Sequence, residues 1–120
     1  MYLISIITIT FNDLDGLKKT IDSIDKNYNS LITNINHIII DGNSTDGTKM
    51  FLGNNLTERS INTIIISEPD SGIYDAMNKG VLNSSSDFVL FINSGDIVLP
   101  FFFSTEINQY LKSIYADSKC

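Results

Sequence analysis

Apolar residues in this chain fall into four short bursts, and the stretches between them repeat on a helical spacing. Ile4–Ile9, Ile35–Ile40, Thr63–Ser67 and Asp87–Ile92 are dominated by isoleucine and other β-branched or aromatic residues, whose stiff side chains suit buried strands. After the first burst, Leu14, Leu17, Ile21, Ile24 and Tyr28 recur every three or four residues, which predicts an amphipathic helix. A second helix is expected to start near Ser44 or Thr45 and to carry Met50, Phe51 and Leu56. A third, Ile73–Leu82, would turn Ile73, Met77 and Val81 inward, and a last stripe of Ile107, Tyr110, Leu111 and Ile114 follows Pro100 and Phe101–Phe103. Asn27–Asn36, Pro69 and Asn83–Ser86 are the expected breaks, Pro69 because it has no amide to give a ladder.

Strands alternating with helices predict a mainly parallel sheet of about four strands, flanked by helices and joined by right-handed crossovers. No linker or repeat interrupts the rhythm, so residues 1–120 read as a single α/β domain. Each strand ends in polar or acidic residues: Thr10-Phe11-Asn12-Asp13, Asp41-Gly42-Asn43, Glu68-Pro69-Asp70 and Asn93-Ser94-Gly95-Asp96. A parallel sheet binds ligands at the carboxyl ends of its strands, so the four clusters are expected to share one crevice.

Composition narrows the classes. Charged residues are 18% and hydrophobic ones 42%, a globular and not a disordered balance. With a net charge of −6 and eight scattered Lys and Arg, the chain lacks the basic footprint of a nucleic-acid binder. Its one cysteine, Cys120, excludes an internal disulfide. The apolar start Met1–Ile9 has no basic leader and is too short to span a bilayer, so it reads as a strand in a soluble, intracellular chain with no transmembrane segment.

Among groups that could do chemistry, Asp41 stands out, because a carboxylate on a buried strand end needs donors and a ligand amide would serve. Ser44, Thr45 and Asp46 fit helix capping. Asp96 could anchor a hard cation such as Mg²⁺ or Mn²⁺ where a substrate supplies most other oxygens; alone, Asn93–Asp96 is also a common turn. Asp75 and Lys79 lie four apart, a spacing equally suited to an exposed ion pair or a phosphate contact. Asn78, a poor helix former inside a helix, suggests a hydrogen-bonding duty. His37 has no second His or Cys nearby and reads as a solvated histidine at a strand edge. The Phe run suits core better than an aromatic platform, an exposed partner-seeking patch being the other reading. No phosphate-binding Gly-x-x-x-x-Gly-Lys loop or Gly-x-Gly-x-x-Gly fingerprint is present.

Ser5–Asn12, Ile39–Thr48, Ser71–Gly80 and Phe91–Asp96 together resemble the family 2 glycosyltransferases of the Rossmann-like GT-A fold, in their order and spacing, and most closely the bacterial branch that builds surface polysaccharides. The resemblance implies the nucleotide-binding half of that fold. It implies a nucleotide-sugar donor, UDP-linked, with a divalent Mn²⁺ or Mg²⁺, and inverting transfer to a saccharide or lipid-linked acceptor. By the family's pattern Thr10, Phe11 and Asn12 line the nucleoside pocket and Asp41 accepts a hydrogen bond from the base. Asp75 lies by the ribose or diphosphate, with Asn78, Lys79 and Asn93 also on the donor side, and Asp96 falls in the metal motif.

Asn93 and Gly95 replace acids common in that motif, and Met77 stands where many relatives carry arginine. Relatives are about twice this length, their second half holding the acceptor site and general base, so the resemblance implies a donor-binding piece whose base lies beyond Cys120. It also implies a cytoplasmic location, peripheral at the inner membrane face. Apolar surface on such a half-domain leaves a homodimer open. The competing reading is a non-catalytic nucleotide- or partner-binding α/β module. A phosphoacceptor receiver domain fits poorly, since Phe11-Asn12-Asp13 brings one acid where a pair is required.

Overall fold

A computed structural model describes residues 3–30, 34–54, 56 and 58–118. Cys120, expected to be the lone thiol, and part of the Asn27–Asn36 turn lie outside the described residues, as does the start of the Met1–Ile9 segment. The elements are β1 (Ile4–Thr10), α1 (Leu14–Asn27), β2 (Ile35–Asp41), α2 (Thr48–Asn54), β3 (Asn62–Ser67), α3 (Ile73–Leu82) and β4 (Phe88–Phe91), then a 3-10 turn (Pro100–Phe103) and α4 (Thr105–Ser118). All strands are parallel, in the order β3-β2-β1-β4. The chain therefore steps outward from β1 to β3, then returns across the sheet to β4.

Cross-strand register assigns the two faces of the sheet. Ile6 pairs with His37 and Leu90, and Thr10 pairs with Asp41, which pairs with Ser67. On this face Ile4, Ile6, Ile24, Ile35 and Phe103 form one buried cluster, while Leu17, Ile21, Ile39, Leu52 and Leu56 form another. It is the face that α1 and α2 cover. The opposite face carries Ile7, Ile38 and Ile40 against Ala76 of α3. Tyr28 and Phe102 meet Phe103 edge-on, so one Phe of the 101–103 run is core, while Phe101 is exposed.

Three expectations need correction. Helix α2 begins at Thr48, later than Ser44 or Thr45, and leaves Met50 exposed and Leu56 buried beyond its end. The inner face of α3 is Ala76 and Gly80, whereas Ile73 and Val81 are half exposed. The helix lies so close to β1 that a Cβ on Gly80 would come within 2.5 Å of Ile7 Cγ2, and only small residues permit that approach. His37 is fully buried. Its Nδ1 lies 2.9 Å from Nη1 of Arg59, a group that only donates, so Nδ1 accepts and Nε2–H donates to Thr8 Oγ1 at 2.6 Å. Burial, reinforced by the Arg59 charge, lowers its pKa from 6.5 to about 3. Arg59 continues the chain to Asp25, 2.6 Å away on α1, and to Thr63 Oγ1.

Candidate functional site

Backbone bonds carry the ladder past the strand ends: Gly42 N–H donates to Thr10 O, Glu68 N–H to Asp41 O and Ser94 N–H to Ile9 O. The crevice expected to join all four polar clusters is lined by residues from three of them, with none of Asn93–Asp96 in it. Asn12 and Asn43 take left-handed backbone conformations here, with φ of 48° and 73°, which asparagine tolerates. The Asn12 amide donates to Ser44 Oγ, and its side-chain oxygen accepts from Thr45 N–H at 2.7 Å, which ties the end of β1 to the loop after β2.

Asp41 is fully buried beneath this loop. Its carboxylate accepts from Ser44 N–H, from Ser44 Oγ in a short contact, and from Ser67 Oγ at 2.7 Å. The donors that a buried carboxylate needs come from the protein itself. Ser44 thus serves Asp41 and Asn12 and does not cap α2. Asp46 does cap: one oxygen accepts from Thr48 N–H and Oγ1, and the other from Leu14 N–H at the start of α1. The Thr48 hydroxyl bond holds the Asp46 carboxyl below the usual range.

A cleft of about 470 Å³ opens on the α3 side of the sheet, lined by Ile9, Thr10, Phe11, Gly42, Asp70, Gly72, Ile73 and Ala76. Phe11, 60% exposed, forms one wall of it. Thr10 Oγ1 is the one buried polar side-chain atom among the described residues without a hydrogen-bond partner. Asp70 enters the cleft after β3; its Oδ1 accepts from Gly72 N–H at 3.0 Å. Residue Gly72, with φ of 117°, makes the turn into α3.

Beyond the cleft, Lys79 holds this connection in place. Its Nζ donates to Pro69 O at 2.8 Å, and it lies 3.2 Å from Glu68 and 3.8 Å from Asp75. Asp75 Oδ2 also accepts from Ser71 N–H. Of the two readings left open for Lys79, the geometry is therefore that of a clamp on residues 68–75. Asn78 is exposed, on the side of α3 that also carries the exposed Tyr74 and Leu82.

The loop after β4 is held by a feature the apolar stripe of α1 concealed. Asp13, Gly16, Thr20, Ser23 and Asn27 form a second stripe at helical spacing. Asp13 Oδ2 accepts from Ser94 Oγ, Gly16 O from Gly95 N–H, and Ser23 Oγ from Val98 N–H. Asn27 donates to Val98 O, while Thr20 Oγ1 donates to Asp96 O at 2.7 Å and Asn93 O at 3.2 Å and accepts from Gly95 N–H. Small polar residues at a three-four spacing are the signal that could have found it. Asn93 Oδ1 accepts weakly from Ile9 N–H, and Asp96 Oδ2 accepts from Asn93 N–H, which leaves the exposed Asp96 carboxylate at the loop's rim.

No three His, Cys, Asp or Glu side chains among the described residues group as a metal site. The donor set fits a hard cation only with Asp96 as one oxygen ligand and phosphate or water oxygens as the rest. Among the described residues Asp70 is the one acid that lines the cleft, and Glu68 and Asp75 nearby are paired with Lys79; the unpaired Asp70 carboxylate makes a poor surface for a bare diphosphate. No helix among the described residues is long and apolar enough to cross a membrane.

Comparison with known proteins agrees with this geometry. The profile of glycosyl transferase family 2 matches residues 5–112. Two curated glycosyltransferases of Mycobacterium tuberculosis strains, both described as uncharacterized, are 43% identical over 94 residues, covering 78% of this chain and 34% of theirs. The chain thus spans about a third of their length. S. aureus TarS 1-349 superposes with a TM-score of 0.72 at 17% identity, over 94% of this chain and 33% of that one. The mannosyltransferase PcManGT of Pyrobaculum calidifontis, in complex with GDP-Man and Mn²⁺, gives 0.75 at 16% identity, over 88% of this chain and 31% of that one. TarS 1-349 in complex with UDP-GlcNAc gives 0.66 at 19% identity, over 97% and 30%. At these identities the structural likeness speaks for the fold, a four-stranded parallel sheet of GT-A type.

Proposed function

The chain belongs to glycosyl transferase family 2, and from that premise we propose that it forms the donor-binding part of an inverting enzyme. That enzyme moves a sugar from a UDP-linked donor to a saccharide or lipid-linked acceptor in cell-surface polysaccharide synthesis, in the cytoplasm at the membrane's inner face. The observation that carries the reading is the cleft at the strand ends, walled by an exposed Phe11 and holding the Asp70 carboxylate. A flat apolar wall suits a nucleobase, and an exposed carboxylate such as Asp96 suits a diphosphate only when a cation comes with it.

In this arrangement Phe11 contacts the nucleoside, and Thr10, whose side chain is buried on the Asp41 face, lines the pocket only with its backbone. Asn12 and Asp41 fix the loop beneath it, while Lys79 and Asp75 hold the connection that frames it. Asn93 shapes the turn that presents Asp96 to Mn²⁺ or Mg²⁺, while Asn78, on the outer face of α3, takes no part in this arrangement. When bound, the cation would supply the positive charge that stabilises a departing nucleoside diphosphate. The residues of this chain bind and orient the donor; no residue here is assigned as the base for the acceptor hydroxyl.

Calorimetric titration with UDP, with and without Mn²⁺, tests the reading. The expected result is binding strengthened by Mn²⁺, with the metal increment lost in Asp96→Ala while the fold persists. Absence of binding at millimolar UDP would leave a partner-binding module as the better account.

A further inference from the structure

We propose that the outer edge of β3, with the trough beside it, docks an extended acidic peptide segment of a partner protein, which joins the sheet as an added strand. This surface stands apart from the donor cleft, and the proposal does not depend on what the cleft binds.

Backbone parity defines the edge. The sheet order ends on β3, which has β2 as its one neighbour among the described strands. Glu68 N–H donates to Asp41 O, so the even-numbered residues face β2, and Thr63, Ile65 and Ser67 turn their N–H and C=O groups outward. Register with β2 runs from Asn62 to Ser67 without a bulge, and the strand carries no proline or charged residue. Those are the devices that ordinarily keep an edge from pairing.

The same three residues line a trough of about 810 Å³ between β3 and α2. Helix α2 is seven residues long and packs Leu52 with Ile39 of β2, one strand short of Ile65, which is left 38% exposed. A Cβ built on Gly53 would meet nothing within 4 Å, so the trough stands open at its α2 wall.

Charge decides what fits. No Asp or Glu lines the trough, in a chain with 14 acidic residues against eight basic ones. Arg59 stands by Thr63 at one end, where Asp25 already answers its charge. Lys49 stands at the other end, since its Nζ donates to Asn43 Oδ1, Asn43 follows Asp41, and Asp41 pairs with Ser67. It is exposed, and no carboxylate among the described residues pairs with it. An added strand that lays an apolar side chain on Ile65 puts the residue two positions away level with Ser67, beside Lys49. An acid is the residue that fits there. A second copy of β3 fits less well, because Asn62–Ser67 offers no carboxylate.

The test titrates the peptide acetyl-Thr-Glu-Thr-Ile-Thr-Glu-Thr-amide, whose symmetry serves either strand direction, into the 120-residue protein. Saturable binding is expected. Lys49→Ala should weaken it about two- to fivefold, the range for an exposed ion pair. Gly53→Trp, which fills the trough, should abolish it, and both variants should keep the wild-type thermal midpoint. N-methylation separates strand addition from simple filling of a groove: methyl groups on one alternate set of peptide amides should block binding, and those on the complementary set should not. The proposal is overturned by absence of binding at about 1 mM peptide, by equal effects of the two methylated sets, or by unchanged binding in Lys49→Ala. A concentration-dependent dimer that Gly53→Trp disperses would also overturn it, making a second copy the occupant of the edge.

Discussion

Replacing Thr20 by valine probes whether α1 holds the rim of the site. Thr20 is fully buried on α1, and valine matches it in shape, so the change removes a hydroxyl with little disturbance of packing. That hydroxyl donates to Asp96 O and Asn93 O and accepts from Gly95 N–H at 2.9 Å. A buried partner left unsatisfied costs about 1–3 kcal/mol. Two features pull the value to the lower half of that range. Gly95 N–H keeps a second acceptor in Gly16 O at 3.1 Å, and Asp96 is exposed, so water can reach it. The expected loss is thus about 1–2 kcal/mol, a urea midpoint shift of roughly 0.5–1 M. Stability alone does not separate a held loop from a disturbed core, since Thr20→Ser loses a buried methyl at a comparable cost. The Mn²⁺ increment in UDP binding does separate them. It should fall in Thr20→Val and survive in Thr20→Ser, because the serine hydroxyl still fixes the turn that orients Asp96. Full stability together with an intact metal increment in Thr20→Val would refute the argument that this stripe positions the loop.

Two further substitutions test the packing. Gly80→Ala gains about 1 kcal/mol in helix propensity but forces a methyl to within 2.5 Å of Ile7 Cγ2, a branch fixed close to the strand backbone. Overpacking at about 1–3 kcal/mol should win, and a denaturation midpoint above wild type would show that α3 does not press on β1. His37, buried and neutral with its pKa lowered to about 3, binds no proton in the native state where the unfolded chain does. Its contribution is complete above about pH 6.5 and declines by about 1.4 kcal/mol per pH unit as the pH falls from there toward 3. His37→Gln should flatten the stability profile between pH 6.5 and about 5, above the carboxylate titrations; an unchanged slope there would place the histidine's proton elsewhere.

Elements were legible in the sequence where one physical signal dominated. The isoleucine runs ending at Thr10 and Asp41, and the stripe from Leu14 to Ile24, correspond to β1, β2 and α1 nearly residue for residue. Helix α3 was located correctly but rotated, because hydrophobicity favours Ile73, Met77 and Val81 whereas close packing favours Ala76 and Gly80. A periodicity count weighs side-chain area and is blind to how near two backbones must come. The polar stripe Asp13–Asn27 escaped for a related reason, since its residues are individually ordinary and gain meaning only from the 93–98 loop that folds against them.

The site itself turns on parity, which a strand buried on both faces does not display. In Ile38-Ile39-Ile40-Asp41 every position before the acid is apolar, so no alternation tells which face the carboxylate takes. Register decides it. Ile40 packs with Ile7 and Ala76 on the α3 side, hence Ile39 and Asp41 belong to the other, and Ser67 comes alongside Asp41 to satisfy it. The same ambiguity hid His37, which shares the parity of Asp41 and meets an arginine 22 residues further along the chain. An acid at the end of such a strand thus marks the edge of the sheet without telling which face its carboxylate takes. The cleft lies on the face that Asp41 turns away from, and the carboxylate that enters it arrives from the loop after β3.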